Sequence, residues 1–243
     1  MTKEKSSQAS AVDSQTLARL AGGLAHELKN PLSTIGLHLT LLQEDWEGED
    51  SSKSRRTIRT IDTLRNEVER LNNILEDFLR FARTDSLEFN PASINALIEQ
   101  VVEFSTPEAQ RLGVQIHSYL DLNLPNIWID KARVRQVLLN LIINSRQAIE
   151  SSGEGSGNIS LISRKDGAFL IVDIVDDGPG MDADTLASCF DVYFSTKSKG
   201  SGLGLATVRR IVEAHGGEMS IESAPGAGTK VHLRFPLTNT PDD

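Results

Sequence analysis

The stretch IDTLRNEVERLNNILEDFLRFA, Ile61 to Ala82, carries its apolar residues at Ile61, Leu64, Val68, Leu71, Leu75, Phe78 and Ala82. The intervals alternate between three and four residues, with mostly polar side chains between. That is a heptad stripe, the mark of a helix with one apolar seam. Upstream, Leu17, Ala21, Leu24, Leu28, Ile35, Leu39, Leu42 and Trp46 follow a related spacing, and WEGEDSSKS separates the two runs with Gly, Asp and Ser. Two long helices joined by a short loop make a hairpin. A lone hairpin has too little mass to bury both seams, because helices depend on tertiary packing for most of their stability. The expected solution is a homodimer in which two hairpins form an antiparallel four-helix bundle. Packing of the hairpin on the second half of the same chain is the alternative.

Past Asn90 the period changes. Residues 95–104 predict a helix, GVQIHSYL a strand, and residues 130–150 a strongly apolar helix containing VRQVLLNLIINSRQAI. NISLISR and AFLIVDIVDDG read as strands, and residues 203–214 as a helix closed by Gly216 and Gly217. EMSIESAPGAGTKVHLRFP reads as a two-stranded hairpin. Helices mixed with a mostly antiparallel sheet predict an α+β two-layer sandwich. The reading is therefore multidomain: a disordered tail at 1–13, an all-α hairpin at 14–86, the sandwich at 87–238 and a short tail at 239–243.

The composition narrows the function. A net charge of −9 over 243 residues argues against a general nucleic-acid or anionic-membrane surface, which needs excess Lys and Arg. The single cysteine, Cys189, excludes an intrachain disulfide and a cysteine-rich metal site. MTKEKSSQAS has no signal-peptide core, and no apolar run approaches the ~20 residues that span a bilayer. A cytoplasmic location is the expectation.

Three elements of the second half carry chemistry. DDGPGM follows a strand, which puts Asp176 at a strand end with Gly178 and Gly180 behind it. KGSGLGLA immediately precedes a helix, where glycines let the backbone approach a ligand and free N–H groups can hold a phosphate. No strand-Gly-helix unit with a downstream acidic residue frames it, so it is not the dinucleotide fingerprint. Asn140 and Asn144 stand one turn apart on one face of the apolar helix. Such amides must find hydrogen-bond partners. Either a neighbouring loop supplies them, or the Asn144 carbonyl is a hard-oxygen ligand for Mg²⁺, which takes few protein ligands beside phosphates and waters.

The order Asn-x-x-x-Asn, Asp-x-Gly-x-Gly, Phe-x-x-x-Phe-x-Thr-Lys and Gly-x-Gly-x-Gly, over residues 88–237, resembles the ATP-binding domain of sensor histidine kinases. That Bergerat-type fold is shared with type II topoisomerases and mismatch-repair ATPases. The resemblance implies ATP and Mg²⁺ as ligands, with Asp176 accepting a hydrogen bond from the adenine amino group beside Gly178 and Gly180. It implies Asn144 on Mg²⁺, Asn140 near the phosphates, and Gly200, Gly202, Leu203 and Gly204 at the phosphate end. Lys197 would add positive charge there, Thr229 would hold the adenine side, and residues 180–202 would form a mobile lid. Two departures stand out: Phe190-Asp191-Val192-Tyr193 replaces the family's frequent Phe-x-Pro-Phe, and Gln147 stands where many members carry a lysine.

In the first half, GGLAHELKNPLSTIGLHL runs from Gly22 to Leu39. At about 100° per residue, His26 lies about 200° from Leu24 and Leu28 and points away from the seam. Alone it would read as a surface histidine without a role. HELKNPL, however, resembles the phosphoacceptor motif of the same kinases. A nucleophilic imidazole must be neutral, and Glu27 beside it can take the proton from the other ring nitrogen. The resemblance also implies that Asn30 orients water to hydrolyse a partner's phospho-aspartate. Pro31 removes the N–H that would bond the Glu27 carbonyl, which predicts a bend and a candidate hinge. His38, His117, His215 and His232 lie in no comparable motif.

The expected protein is a histidine kinase that uses Mg-ATP to phosphorylate His26 and passes the phosphoryl group to an aspartate of a response-regulator receiver domain, with phosphatase activity resting on Asn30. No input domain is visible before Leu17 in this sequence, so the expectation is that the signal arrives through a separate sensor protein or that the chain is a piece of a larger kinase. The rivals are a protein-serine kinase and a non-catalytic, nucleotide-regulated dimeric scaffold of the same ATP-binding superfamily.

Overall fold

A computed structural model of the chain describes residues 28–46, 51–82, 87–153, 155–197 and 202–237. The chain divides into two compact units, Met1–Asp85 and Ser86–Asp243. Among the described residues no helix is long and apolar enough to cross a membrane.

The first unit is a helical hairpin of α1, residues 28–44, and α2, Ser52–Ala82. Ser51 starts α2 by accepting the Ser54 N–H on its hydroxyl at 3.0 Å, a side-chain cap on an otherwise unpaired donor. Ser54 is fully buried and donates its hydroxyl to the Trp46 carbonyl at 3.0 Å, which ties the loop closed. Gly36 lets the helices approach: a methyl group there would sit 3.9 Å from Val68 Cγ1. Arg65 donates to Gln43 Oε1 at 2.7 Å, bridging the helices. Of the two stripes, Leu39 and Ile61 are buried within the hairpin. Leu28, Ile35, Leu42, Leu64 and Leu71 remain 43–51% exposed. Leu17, Ala21 and Leu24, the Phe78 and Ala82 side chains, and both predicted tails lie outside the described residues. So does Glu27, the residue at the expected bend; from residue 28 onward α1 is regular through Pro31.

The second unit is a five-stranded sheet in the order β2-β4-β5-β7-β6, covered on one face by helices. Its strands are β2 (Val114–Leu120), β4 (Gly157–Asp166), β5 (Phe169–Asp176), β6 (Glu218–Ser223) and β7 (Thr229–Pro236). β2 and β4 run parallel, and the other neighbours are antiparallel. A small ladder pairs β1 (Asn90–Ala92) with β3 (Ile127–Ile129). Helices α3 (Ile94–Arg111), α4 (Lys131–Ser152) and α6 (Gly204–Ala214) form the second layer, and α5 (Ala183–Ser188) follows β5.

Strand period explains the two faces of the sheet. Ile159 and Leu161, then Leu170, Val172 and Ile174, then Val231, Leu233 and Phe235, enter the core with the buried faces of α3, α4 and α6. Each such side chain contributes about 1.5–3 kcal/mol when fully buried. The opposite face carries Arg164, Asp173, His232 and Arg234. Sequence reading ends α3 near Phe104, yet the helix continues through Pro107 to Arg111. A proline inside a helix removes one hydrogen bond. Ala109, fully buried two residues further on, holds the last turn against the core all the same.

Candidate functional site

Asp176 ends β5 on the core-facing side, in phase with Leu170, Val172 and Ile174, so the apolar alternation delivers a carboxylate to the sheet's end. Above it α4 presents Ser145, which belongs to the helix's buried stripe with Leu138, Leu141, Ile142 and Ile149. Ser145 Oγ donates to Asp176 Oδ2 at 2.7 Å, and the Gly178 N–H donates to Oδ1 at 3.1 Å. Burial pushes the Asp176 carboxyl above the usual carboxylate range; the bonds from Ser145, Gly178 and the Thr229 backbone oppose this, and the charge of Asp177 adds to it. Ser145 was missed by sequence reading, although a lone hydroxyl on an apolar helix stripe is a signal that could have found it.

The loop after Asp176 is held on both sides. Asn158 donates its backbone N–H and its side-chain amide to the two Asp177 oxygens at 2.7 and 2.8 Å. The Met181 N–H donates to Ser223 Oγ at 2.9 Å, and Ser223 in turn donates to the Gly228 carbonyl at 2.8 Å. Thr229 Oγ1 lies 3.1 Å from Ser223 Oγ. Gly228 has φ +74°, and a Cβ there would fall 2.0 Å from the Asp176 carbonyl oxygen. Gly153, which closes α4 at φ +75°, has open space around the same position. Gly228→Ala should therefore destabilise the second unit by about 2–4 kcal/mol, combining left-handed strain with overpacking. Gly153→Ala should cost about 1–2 kcal/mol from strain alone. Urea unfolding of the two variants checks this, and equal midpoints would contradict it.

Asn140 and Asn144 are half-buried on α4. A methyl group on Gly204, the first residue of α6, would stand 3.6 Å from Asn144 Nδ2. The second asparagine thus lies beside a helix N-terminus, where unpaired N–H groups favour an anion. The Leu203 side chain is buried at 1% exposure, so only its main chain can face a ligand. Gly202 has φ +69°, and its carbonyl accepts the Tyr193 N–H at 3.1 Å. Tyr193 itself has φ +70°, so a bulky residue holds a left-handed turn directly after Val192, the residue that stands in place of the motif's proline. Lys197 Nζ donates to the Asn144 main-chain carbonyl at 3.3 Å and to Gln147 Oε1 at 3.0 Å. Gly200 lies outside the described residues, as do His26 and Glu27. Asn30 is exposed on α1.

Among the described residues no group of three or more His, Cys, Asp or Glu could hold a metal. The Asn144 amide oxygen is a hard-oxygen donor beside the α6 N-terminus. That suits Mg²⁺ carried in largely by phosphates and water. His232 lies in β7 outside any motif, and its Nδ1 lies 2.5 Å from Asp173 Oδ1 on the neighbouring strand. Arg164 also bonds Asp173. Burial would raise the Asp173 carboxyl, but Arg164 and His232 outweigh it and hold the group below its usual range. This cluster is on the opposite face of the sheet from Asp176.

Two family models match the chain. Residues 16–87 match the His Kinase A (phospho-acceptor) domain, and residues 129–239 match the histidine kinase-, DNA gyrase B- and HSP90-like ATPase. The sensor histidine kinase ZraS of Escherichia coli (strain K12) is 34% identical over 228 residues, which are 93% of this chain and 47% of ZraS. The chain spans about half the length of the curated relatives it matches. Full-length ShkA, crystallised in complex with AMPPNP, superposes with a TM-score of 0.70 at 28% identity, covering 93% of this chain and 47% of that one. The histidine kinase ThkA, solved in complex with the response regulator protein TrrA, gives a TM-score of 0.66 at 25% identity over 97% of this chain and 66% of that one. With a phosphoacceptor domain and a histidine-kinase-type ATPase domain in this order, the chain belongs to the sensor histidine kinases of two-component systems.

Proposed function

We propose that the chain is the catalytic portion of an ATP-dependent protein-histidine kinase. ATP binds the second unit, His26 takes the γ-phosphoryl group, and the group passes to an aspartate of a response-regulator receiver domain. The observation that carries this reading is the convergence of Ser145, Gly178 and Thr229 on the buried Asp176, beside Asn144 and the start of α6. Such a carboxylate can accept a bond from an exocyclic ring amine, while the helix N-terminus and Lys197 address phosphates. Asn140 and Asn144 would flank the phosphates, with Asn144 holding Mg²⁺. When bound, that ion would neutralise charge on the transferring group. Glu27 would take the imidazole proton, and Asn30 would position water for phosphatase action.

The exposed stripe of Leu28, Ile35, Leu42, Leu64 and Leu71 supports a homodimer, since a second hairpin would cover it in a four-helix bundle. The AMPPNP complex of ShkA and the regulator complex of ThkA support the nucleotide and the partner. A cytoplasmic site of action fits a receiver-domain partner.

Incubation with γ-labelled ATP tests the reading. The label should be acid-labile and alkali-stable, as a phosphoramidate is; label on serine, or bound ATP without label, would sink it. Pro31→Ala should shift the ratio of kinase to phosphatase activity, measured with a receiver domain, if the missing Glu27 bond loosens the turn. An unchanged ratio removes the hinge.

A further inference from the structure

Lys197 is held by α4 through two oxygens that carry no charge, the Asn144 main-chain carbonyl and Gln147 Oε1. Its side chain is half-buried. Burial pushes the amine below the usual lysine range; Asp176 pulls the other way, Arg146 adds to the lowering, and Glu150 opposes it. An ammonium group has three N–H donors, so the two bonds to α4 orient it and leave a third donor for an anion. A carboxylate at residue 147 would hold the amine equally well but would offset its charge. A second lysine there would stand within contact of Lys197 and repel it. A leucine would leave the flexible stem free to swing away.

We infer that Gln147 is a positioning residue, whose neutral amide oxygen fixes the Lys197 ammonium at the phosphate end of the nucleotide site with its charge intact. The inference rests on the ATP-binding reading above. It gives a physical role to the residue at which this chain departs from the lysine of many relatives: the positive charge comes from Lys197, and α4 contributes the acceptor that aims it.

The test uses the whole chain, Mg²⁺ and a non-hydrolysable ATP analogue, titrated by calorimetry into wild type, Q147L, Q147E, K197M and the double variant Q147L/K197M. A second readout is the acylation rate of Lys197 by an amine-reactive reagent without nucleotide, followed by peptide mass spectrometry. Q147L should weaken analogue binding about tenfold to a hundredfold, the size of losing one hydrogen bond to a charged group, and should speed Lys197 acylation several-fold. Q147E should keep acylation slow yet weaken binding, because its charge opposes the phosphates. In the K197M background Q147L should change affinity less than about twofold, since Gln147 acts through Lys197. Additive losses in the double variant, or unchanged acylation in Q147L, would overturn the inference. Failure of the wild type to bind the analogue would instead overturn the ATP reading, and the acylation rates would still report on the Gln147–Lys197 contact.

Discussion

Replacing His26 by alanine should abolish acid-labile labelling from γ-labelled ATP, a loss of at least about a thousandfold, while nucleotide affinity stays unchanged. Phosphoryl transfer asks little covalent work of a protein beyond supplying and aligning the nucleophile. An alanine side chain has no lone pair to offer as a nucleophile. The residues proposed to bind nucleotide belong to the other compact unit, Ser86–Asp243, and the proposal assigns the imidazole no part in holding the nucleotide. Residual acid-labile label in the variant would move the acceptor elsewhere. A parallel fall in nucleotide affinity would mean that His26 acts by supporting the fold.

Asp176→Asn should weaken nucleotide binding about a hundredfold or more, corresponding to about 3 kcal/mol. In the wild type one oxygen accepts from Ser145 and the other from Gly178, and both keep lone pairs for a further donor. An asparagine must turn its NH₂ toward one of these donors, and it loses the charge that strengthens a bond to an incoming amine. The pH dependence follows from the raised carboxyl pKa, with burial as its main cause. Recognition needs the ionised acceptor, so affinity should fall as pH drops through that raised value, earlier than for an ordinary aspartate near 3.9. Folding responds with the opposite sign: the folded state binds this proton more readily than the unfolded chain, so Asp176 penalises stability above its folded pKa and the penalty fades as pH falls through it. Both contributions should vanish in Asp176→Asn. Binding within about threefold of wild type would contradict the assignment.

Much of this arrangement was legible in the sequence because it obeys a period or a motif. The heptad steps from Ile61 give α2, and the buried run from Val134 to Ile149 gives α4. Asp176 and Thr229 appear as strand-end residues in sequence, and register places them opposite each other. What escaped was whatever depends on contacts between distant segments. The Asp173–His232 pair spans two strands that no local pattern aligns, and Gln147 gains meaning only when Lys197 lands on it. The β1–β3 ladder is too short for periodicity to register, with three residues in each strand. The continuation of α3 through Pro107 reflects packing of Ala109, which overrides a local breaker signal.

Asp130 joins several of these segments. One of its carboxylate oxygens caps α4 by accepting the Arg133 N–H at 3.0 Å, and the other accepts the Glu88 N–H at 3.1 Å. Its own N–H donates to the buried His215 Nε2 at 3.0 Å, and Phe89 stacks edge-on against that imidazole. The chain therefore enters its second unit fastened to the first turn of the helix that bears Asn140, Asn144, Ser145 and Gln147. Mechanically, Glu88 and the helix end share one carboxylate, so a displacement of either acts directly on the other's hydrogen-bond partner. The same residue that caps the helix thus also anchors the entering chain, so Asp130→Ala would release both at once.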